Sequence, residues 1–247
     1  MPARPPLPNL NLGIGFYTVA DAVRLLGIPS VNVRRWLGGY SYRSAGRQRH
    51  MPALWTPQLP ANENHIELGF RDLIELRFVE AFIEAGLGLK TIRHCLIHAR
   101  TIVDDERPFS TQRFRTDGRT LFFELIDKPL DTVQVVADEI VEVRRELIDL
   151  KSKQYVFPGI LERTFKDLDL DDNAVTRWRP YKGKATIQID PNRAFGAPIA
   201  AETGVPTATL AEAVAAEGSE RRVAALFEVS RAVVHDAVQF EKVLATA

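Results

Sequence analysis

The run from Tyr17 to Trp36 places the tightest condition on the fold. Thr18 can cap a helix, and Val19, Ala22, Val23 and Leu26 recur behind it at helical spacing, so one face of that helix is apolar and looks inward. Gly27 ends it. Ile28 packs into a corner, Pro29 suits the first turn of a following helix, and Val33 and Trp36 anchor that second helix. Two short helices joined by so tight a turn make a helix-turn-helix. Ser30, Asn32, Arg34 and Arg35 then fall on or near the outer surface of the second helix, where such side chains reach base edges or phosphates.

The charge distribution supports that use. The 247 residues carry 32 basic and 32 acidic side chains, a balance that by itself argues against a nucleic-acid partner. Residues 1–60, however, hold Arg4, Arg24, Arg34, Arg35, Arg43, Arg47 and Arg49 against Asp21 alone, a local charge of +6. All seven are arginine, the side chain whose fork pairs with phosphate and guanine, and such a field gives salt-dependent affinity even on a neutral chain.

A glycine, tyrosine and arginine mixture follows Trp36. Gly38 and Gly39 permit a turn out of the second helix, Tyr40 and Tyr42 alternate as strand residues do, and Arg43, Arg47 and Arg49 sit where a β-ribbon wing meets a DNA backbone or minor groove. Pro52, Pro57 and Pro60 break regular structure beyond it. Two further helices are predicted over 69–85 and 89–102, hinged at Gly86, Leu87 and Gly88. Their apolar residues keep the helical period from Phe70 through Ile83 and again at Ile92, Leu96 and Ile97.

Taken in order, a helix-turn-helix beginning at Tyr17, a tyrosine-rich wing, the run 70–79 and the run 86–93 resemble the DNA-binding domain of the MerR family, over about residues 16–102. The resemblance implies that Arg34 and Arg35 lie where the family's recognition helix meets DNA, and that Tyr40, Tyr42 and Arg43 lie in its wing. The wing here is longer and richer in proline. The usual MerR regulators continue into a long coiled-coil helix and an effector pocket, whereas residues 109–126 read as strands, with Asp117 and Gly118 as a hairpin turn between β-rich flanks.

The centre of the chain is less regular. Residues 132–135 read as a short strand or a helix start, and residues 137–150 put Ile140, Val143, Leu147 and Leu150 on one seam, suited to packing on the body or on a second copy. Residues 151–181 read as a helix over 160–168 and a connector. Asp167, Asp169, Asp171 and Asp172 lack the central glycine and terminal glutamate of a calcium loop.

From residue 185 the pattern is a strand over 185–190, a loop over 195–199, and helices over 209–217, 220–227 and 231–244, with Gly218, Ser219 and Ser230 as stop and caps. The last two helices form a second helix-turn-helix pattern in which Arg221, Arg222, Arg231 and His235 are secondary candidates for contact with DNA or a partner. Glu212, Glu217, Glu220 and Glu228 give that region a mixed field. The order of motifs, including Pro198, Pro206, Thr207 and Ser219, resembles the small domain of uncharacterised function in VapB-type antitoxins that pair with PIN-domain toxins. This sequence has Glu202, Thr203, Gly204 and Val205 where that family usually carries an arginine.

Chemistry of other kinds finds little footing. His94 and His98 are one helical turn apart, but no adjacent carboxylate motif completes a zinc site, and Cys95 is the single cysteine. Asp104, Asp105 and Glu106 read as a solvated loop. No phosphate-cradling loop or nucleophile elbow occurs, so no catalytic residue, metal or cofactor is assigned and the chain is not read as an enzyme. No apolar run is long enough for a bilayer, and the proline-rich start lacks the apolar core of a secretion signal, which points to a cytoplasmic protein without a membrane partner.

The expected fold is therefore α+β and mainly helical, in four parts: a proline-rich arm (1–15), a MerR-like winged helix-turn-helix domain (16–102), a central strand-containing region with helix and connector (103–184), and a C-terminal helical domain (185–247). The resemblances together imply a homodimeric antitoxin that represses its own operator on double-stranded DNA and neutralises a PIN-type ribonuclease toxin. Two other readings of the same residues are a MerR-like regulator responding to a small ligand and a protein-interaction module without DNA binding.

Overall fold

In a computed structural model the chain is α+β and mainly helical; the structure describes residues 13–44, 46–60, 65–127, 145 and 156–246. The first elements follow from the caps. A two-residue strand β1 (Tyr17–Thr18) leads into α1 (Val19–Leu26), whose N-terminus is closed by a reciprocal box. Asp21 N–H donates to the Thr18 hydroxyl, and Thr18 N–H donates to the Asp21 carboxylate. Gly27 takes the left-handed conformation that stops α1, and α2 (Ser30–Gly38) begins immediately after Pro29. Strands β2 (Tyr40–Ser44) and β3 (Arg47–Met51) form an antiparallel hairpin. The predicted helix-turn-helix and ribbon are both present.

The short β4 (Glu67–Leu68) pairs with β1 and delivers the chain to α3 (Phe70–Glu84) and α4 (Leu89–Val103), on the predicted spans. A 3₁₀ turn (Pro108–Ser110) then leads to α5 (Gln112–Asp127). This overturns the expectation of strands over 109–126. Two observations explain the outcome. The Thr111 hydroxyl accepts from Phe114 N–H and so starts a helix, and that helix sends Phe114 into an aromatic cluster around Phe78, with Phe109, Phe82 and Phe165. Gly118 is no turn residue here. It is buried one helical turn after Phe114, and a Cβ on it would sit 3.2 Å from that ring. Burial of the ring outweighs the local Asp-Gly turn preference.

The expected segments 132–135 and 137–150 lie outside the described residues, apart from Arg145. Helix α6 (Val156–Phe165) starts earlier than predicted and is followed by a hairpin, β5 (Leu168–Leu170) and β6 (Val175–Trp178), where a connector was expected. The aspartates are what close it. Asp171 accepts from Asn173 and Ala174 N–H at the turn, Asp169 pairs with Arg177 and Arg179, and Asp167 accepts from Trp178 Nε1 and Arg77. Strands β7 (Ile187–Ile189) and β8 (Pro198–Ala200) complete an antiparallel sheet in the order β5-β6-β7-β8, which crosses the division placed at 184/185.

Three helices close the chain: α7 (Thr207–Glu217), α8 (Glu220–Leu226) and α9 (Arg231–Thr246). One continuous core runs from Tyr17 to Ile189 beneath the N-terminal helices and the hairpin. A smaller one gathers Leu210, Val223, Val229, Val233, Val234 and Ala237 under the last three helices. Between them Tyr181, Ile187, Phe240 and Leu244 cluster, and Leu25 of α1 packs on this group. The C-terminal helices therefore rest on the first helix of the helix-turn-helix and leave the second uncovered.

Candidate nucleic-acid interface

The second helix is held by its inner face. Val33, Trp36 and Leu37 are buried, while Ser30, Arg34 and Arg35 are exposed and Asn32 is half-buried. Val31 is 49% exposed on the same outer side, three residues before Arg34 and four before Arg35. Sequence reasoning passed over it as an apolar residue, although its spacing from the arginines marks its face. An exposed aliphatic side chain there suits a thymine methyl group.

The ribbon is set against this helix by tight backbone fitting. Gly39 adopts φ +71°, and a Cβ there would lie 2.7 Å from the Met51 carbonyl, where the returning strand crosses. Leu54 N–H donates to the Trp36 carbonyl at 2.6 Å, tying the end of α2 to the chain beyond the ribbon. That return segment is pinned from below. Arg93 donates to the Pro52 and Ala53 carbonyls, and Arg100 to those of Leu54 and Glu106. Burial lowers both guanidinium groups from their usual range.

Beneath it Asp72, fully buried, accepts from Trp55 Nε1 (3.0 Å), Gln58 N–H (2.7 Å), Gly69 N–H (2.9 Å) and Arg107 Nε (2.6 Å). Asp105 pairs with Arg71 and Glu106 with Arg100, so these acids brace the scaffold; the sequence had suggested a solvated loop. His94 and Cys95 are buried in α4, and among the described residues no three His, Cys, Asp or Glu side chains gather as a metal site.

Register sorts the ribbon's side chains. Cross-strand partners share a face, so Tyr40 and Tyr42 lie with Arg47, Arg49 and Met51, while Arg43 lies on the other face with Ser41, Gln48 and His50. The Tyr40 and Tyr42 rings are 5.9 Å apart, and the Arg35 guanidinium stands over Tyr40 at 5.4 Å from the ring centroid. One contact thus joins the outer surface of α2 to one face of the ribbon. From Ala22 to Asn62 the chain has no Asp or Glu, and Arg34, Arg35, Arg43, Arg47 and Arg49 form no ion pair with any described residue. Arg24 is different: it turns to the C-terminal helices and meets Glu241 at 3.7 Å.

The secondary candidates divide. Arg231 and His235, on α9, both meet Glu220 of α8, at 3.5 and 3.0 Å, and the His235 hydrogen bond holds the Glu220 carboxyl below its usual range. Arg221 and Arg222 are exposed on α8. Nearby, burial alone would raise the Asp236 carboxyl, but hydrogen bonds from Lys184 and Thr186 outweigh it and lower the pKa. Arg231, His235 and Lys184 thus have acids of their own on this surface, unlike the arginines of α2 and the ribbon.

These features define a helix-turn-helix protein of the DNA-binding kind, carrying a small sheet-and-helix unit at its C-terminal end. Residues 15–96 match the family described as "Putative DNA-binding HTH domain", and residues 187–240 match "Protein of unknown function (DUF433)". The curated "Putative antitoxin VapB45" of Mycobacterium tuberculosis (strain ATCC 25618 / H37Rv) is 27% identical over 236 residues, covering 93% of this chain and 95% of that protein. The X-ray crystal structure of Rv2018 from the same species has 26% identity and a TM-score of 0.69, covering 93% of this chain and 100% of that one. Over nearly its whole length, then, the chain is similar to a protein named "Putative antitoxin VapB45", and it matches a helix-turn-helix domain towards its N-terminal end and DUF433 towards its C-terminal end.

Proposed function

We propose that the protein is an antitoxin and transcriptional autorepressor, a non-enzymatic regulator that binds its own operator as a homodimer and captures a PIN-type ribonuclease toxin through another surface. The observation that carries the DNA half is the acid-free run from Ala22 to Asn62, with arginines on α2 and the ribbon that no described acid neutralises. Arg34, beside the exposed Ser30 and Val31 and the half-buried Asn32, reads base edges. Arg47 and Arg49, with Tyr42, hold phosphates from the ribbon, and Arg43 reaches the backbone from its opposite face. A single unit of this size makes few phosphate contacts, and symmetry doubles them on a palindromic site.

The toxin half is supported by similarity over 93% of the chain to the protein named "Putative antitoxin VapB45". A mobility shift on the DNA upstream of the gene tests the first half. Replacing Arg34 and Arg35 together by alanine should weaken binding about a hundredfold, and unchanged affinity removes α2 from the interface. Co-expression with a PIN-type ribonuclease toxin encoded in the same operon tests the second: the reading expects such a neighbour and restored growth, and its absence or unrelieved toxicity counts against it.

A further inference from the structure

Among the described residues, Val31 is the one large apolar side chain that stands exposed within the acid-free run from Ala22 to Asn62; the others, Phe16, Ile97, Phe195, Leu226 and Val243, lie away from α2 and the ribbon. The fold makes little use of it. Val33, Trp36 and Leu37 hold the inner face of α2, while Val31 sits in its first turn beside the exposed Ser30, with 49% of its surface in water. A β-branched residue is a weaker helix former than alanine, and here only part of its area is buried in return.

Its neighbours limit what can cover it. Arg34 and Arg35 follow Val31 by three and four residues, so the three share one strip of the helix surface. Neither guanidinium is paired with a described acid, and Arg35 is held over the Tyr40 ring. A surface that covers the strip has to neutralise two cations and also present an apolar group. Duplex DNA is a polyanion, and the major-groove edges of its base pairs carry one apolar group, the C5 methyl of thymine. The first turn of a recognition helix is the part that meets those edges. Valine suits the contact mechanically, because a helix leaves it one strongly preferred rotamer and little side-chain freedom is lost on binding.

We infer that Val31 is a specificity-determining residue, selecting a thymine in each half-site through its C5 methyl group, beside the base edge that Arg34 takes. The inference rests on the operator-binding reading above and adds a base preference to it. The DNA upstream of the gene is amplified twice, once with thymidine triphosphate and once with deoxyuridine triphosphate, whose base forms the same pair but lacks the methyl. Binding of the full chain to each fragment is followed by fluorescence anisotropy. One lost methyl contact is worth about fourfold in affinity, so a dimer on two half-sites should bind the deoxyuridine fragment about tenfold more weakly. Val31→Ala, which favours the helix, should keep the wild-type circular-dichroism spectrum, bind the thymidine fragment about tenfold more weakly than the wild type does, and no longer distinguish the two fragments. A wild type indifferent to the methyl, or a Val31→Ala protein that discriminates as the wild type does, overturns the role of Val31 and leaves operator binding standing. A wild type that binds neither fragment overturns the operator reading itself.

Discussion

The Arg35 guanidinium stands over the Tyr40 ring, 5.4 Å from its centroid, and by that contact α2 and the first strand of the ribbon share an outer surface. A cation over an exposed aromatic ring contributes about 0.5–1 kcal/mol, enough to hold a long side chain in place but not to bind DNA. The two arginines of α2 therefore have different tasks: Arg34 is free to search the groove, and Arg35 is preset. Tyr40→Ala should weaken operator binding about three- to tenfold while leaving the salt dependence unchanged, since no phosphate contact is removed. Tyr40→Phe keeps the ring and should bind as the wild type does. Fluorescence anisotropy at several salt concentrations separates these outcomes. A Tyr40→Ala protein with a shallower salt slope would show that the ring itself had been serving a phosphate contact.

The elements read correctly from the sequence are those whose caps and period agree. Thr18 with Asp21, Gly27 and Pro29 delimit the first two helices without help from distant residues. The segment 109–126 went the other way because the decisive partner of Phe114, Phe78, lies 36 residues earlier in the chain, and no local pattern reveals that Phe114 has such a pocket to fill. Burial of polar groups was equally hidden. Asp72 is one acid among many in the sequence, yet it collects four donors, from Trp55, Gln58, Gly69 and Arg107, because three separate segments converge on it. At the candidate interface, residue type and spacing marked the arginines. The face each ribbon residue occupies came only from the strand register, and the diversion of Arg24 to Glu241 only from the packing of α9 against α1.

At Gly196 the two halves are in close contact, its carbonyl accepting from the Tyr17 hydroxyl at 2.8 Å. A Cβ there would crowd the Tyr17 ring, lying 2.9 Å from Cζ, and would lie 3.1 Å from Gly15 Cα, at φ +83°. Gly196→Ala is therefore strained in its own backbone and in its contact, and should cost about 2 kcal/mol or more. Tyr17→Phe removes only the hydrogen bond to the Gly196 carbonyl and should cost about 1–2 kcal/mol. Thermal melts should rank the three proteins wild type, Tyr17→Phe, Gly196→Ala. Limited proteolysis should show the glycine variant cut first near the seam. Equal melting temperatures would mean that the two units do not depend on this contact.

Glu75 gives the scaffold a pH dependence of unusual sign. It is fully buried, and burial raises its carboxyl from 4.5 to about 7, although Arg71 and the N–H groups of Ser110 and Phe109 pull in the opposite direction. Below pH 4.5 both folded and unfolded chains hold the proton, and the group costs nothing. As pH rises towards 7 the unfolded chain releases it first, so the folded state loses stability. Above that the full penalty is present, on the order of 3 kcal/mol. Glu75→Gln removes the titration and keeps an oxygen to accept from Ser110 N–H, now 2.7 Å from the carboxylate. The variant should match the wild type near pH 4 and melt several degrees higher at pH 8, since about 1 kcal/mol moves the midpoint of a chain this size by roughly 2–4 °C. Parallel melting curves at both pH values would place the Glu75 charge in a better-solvated setting than its burial indicates.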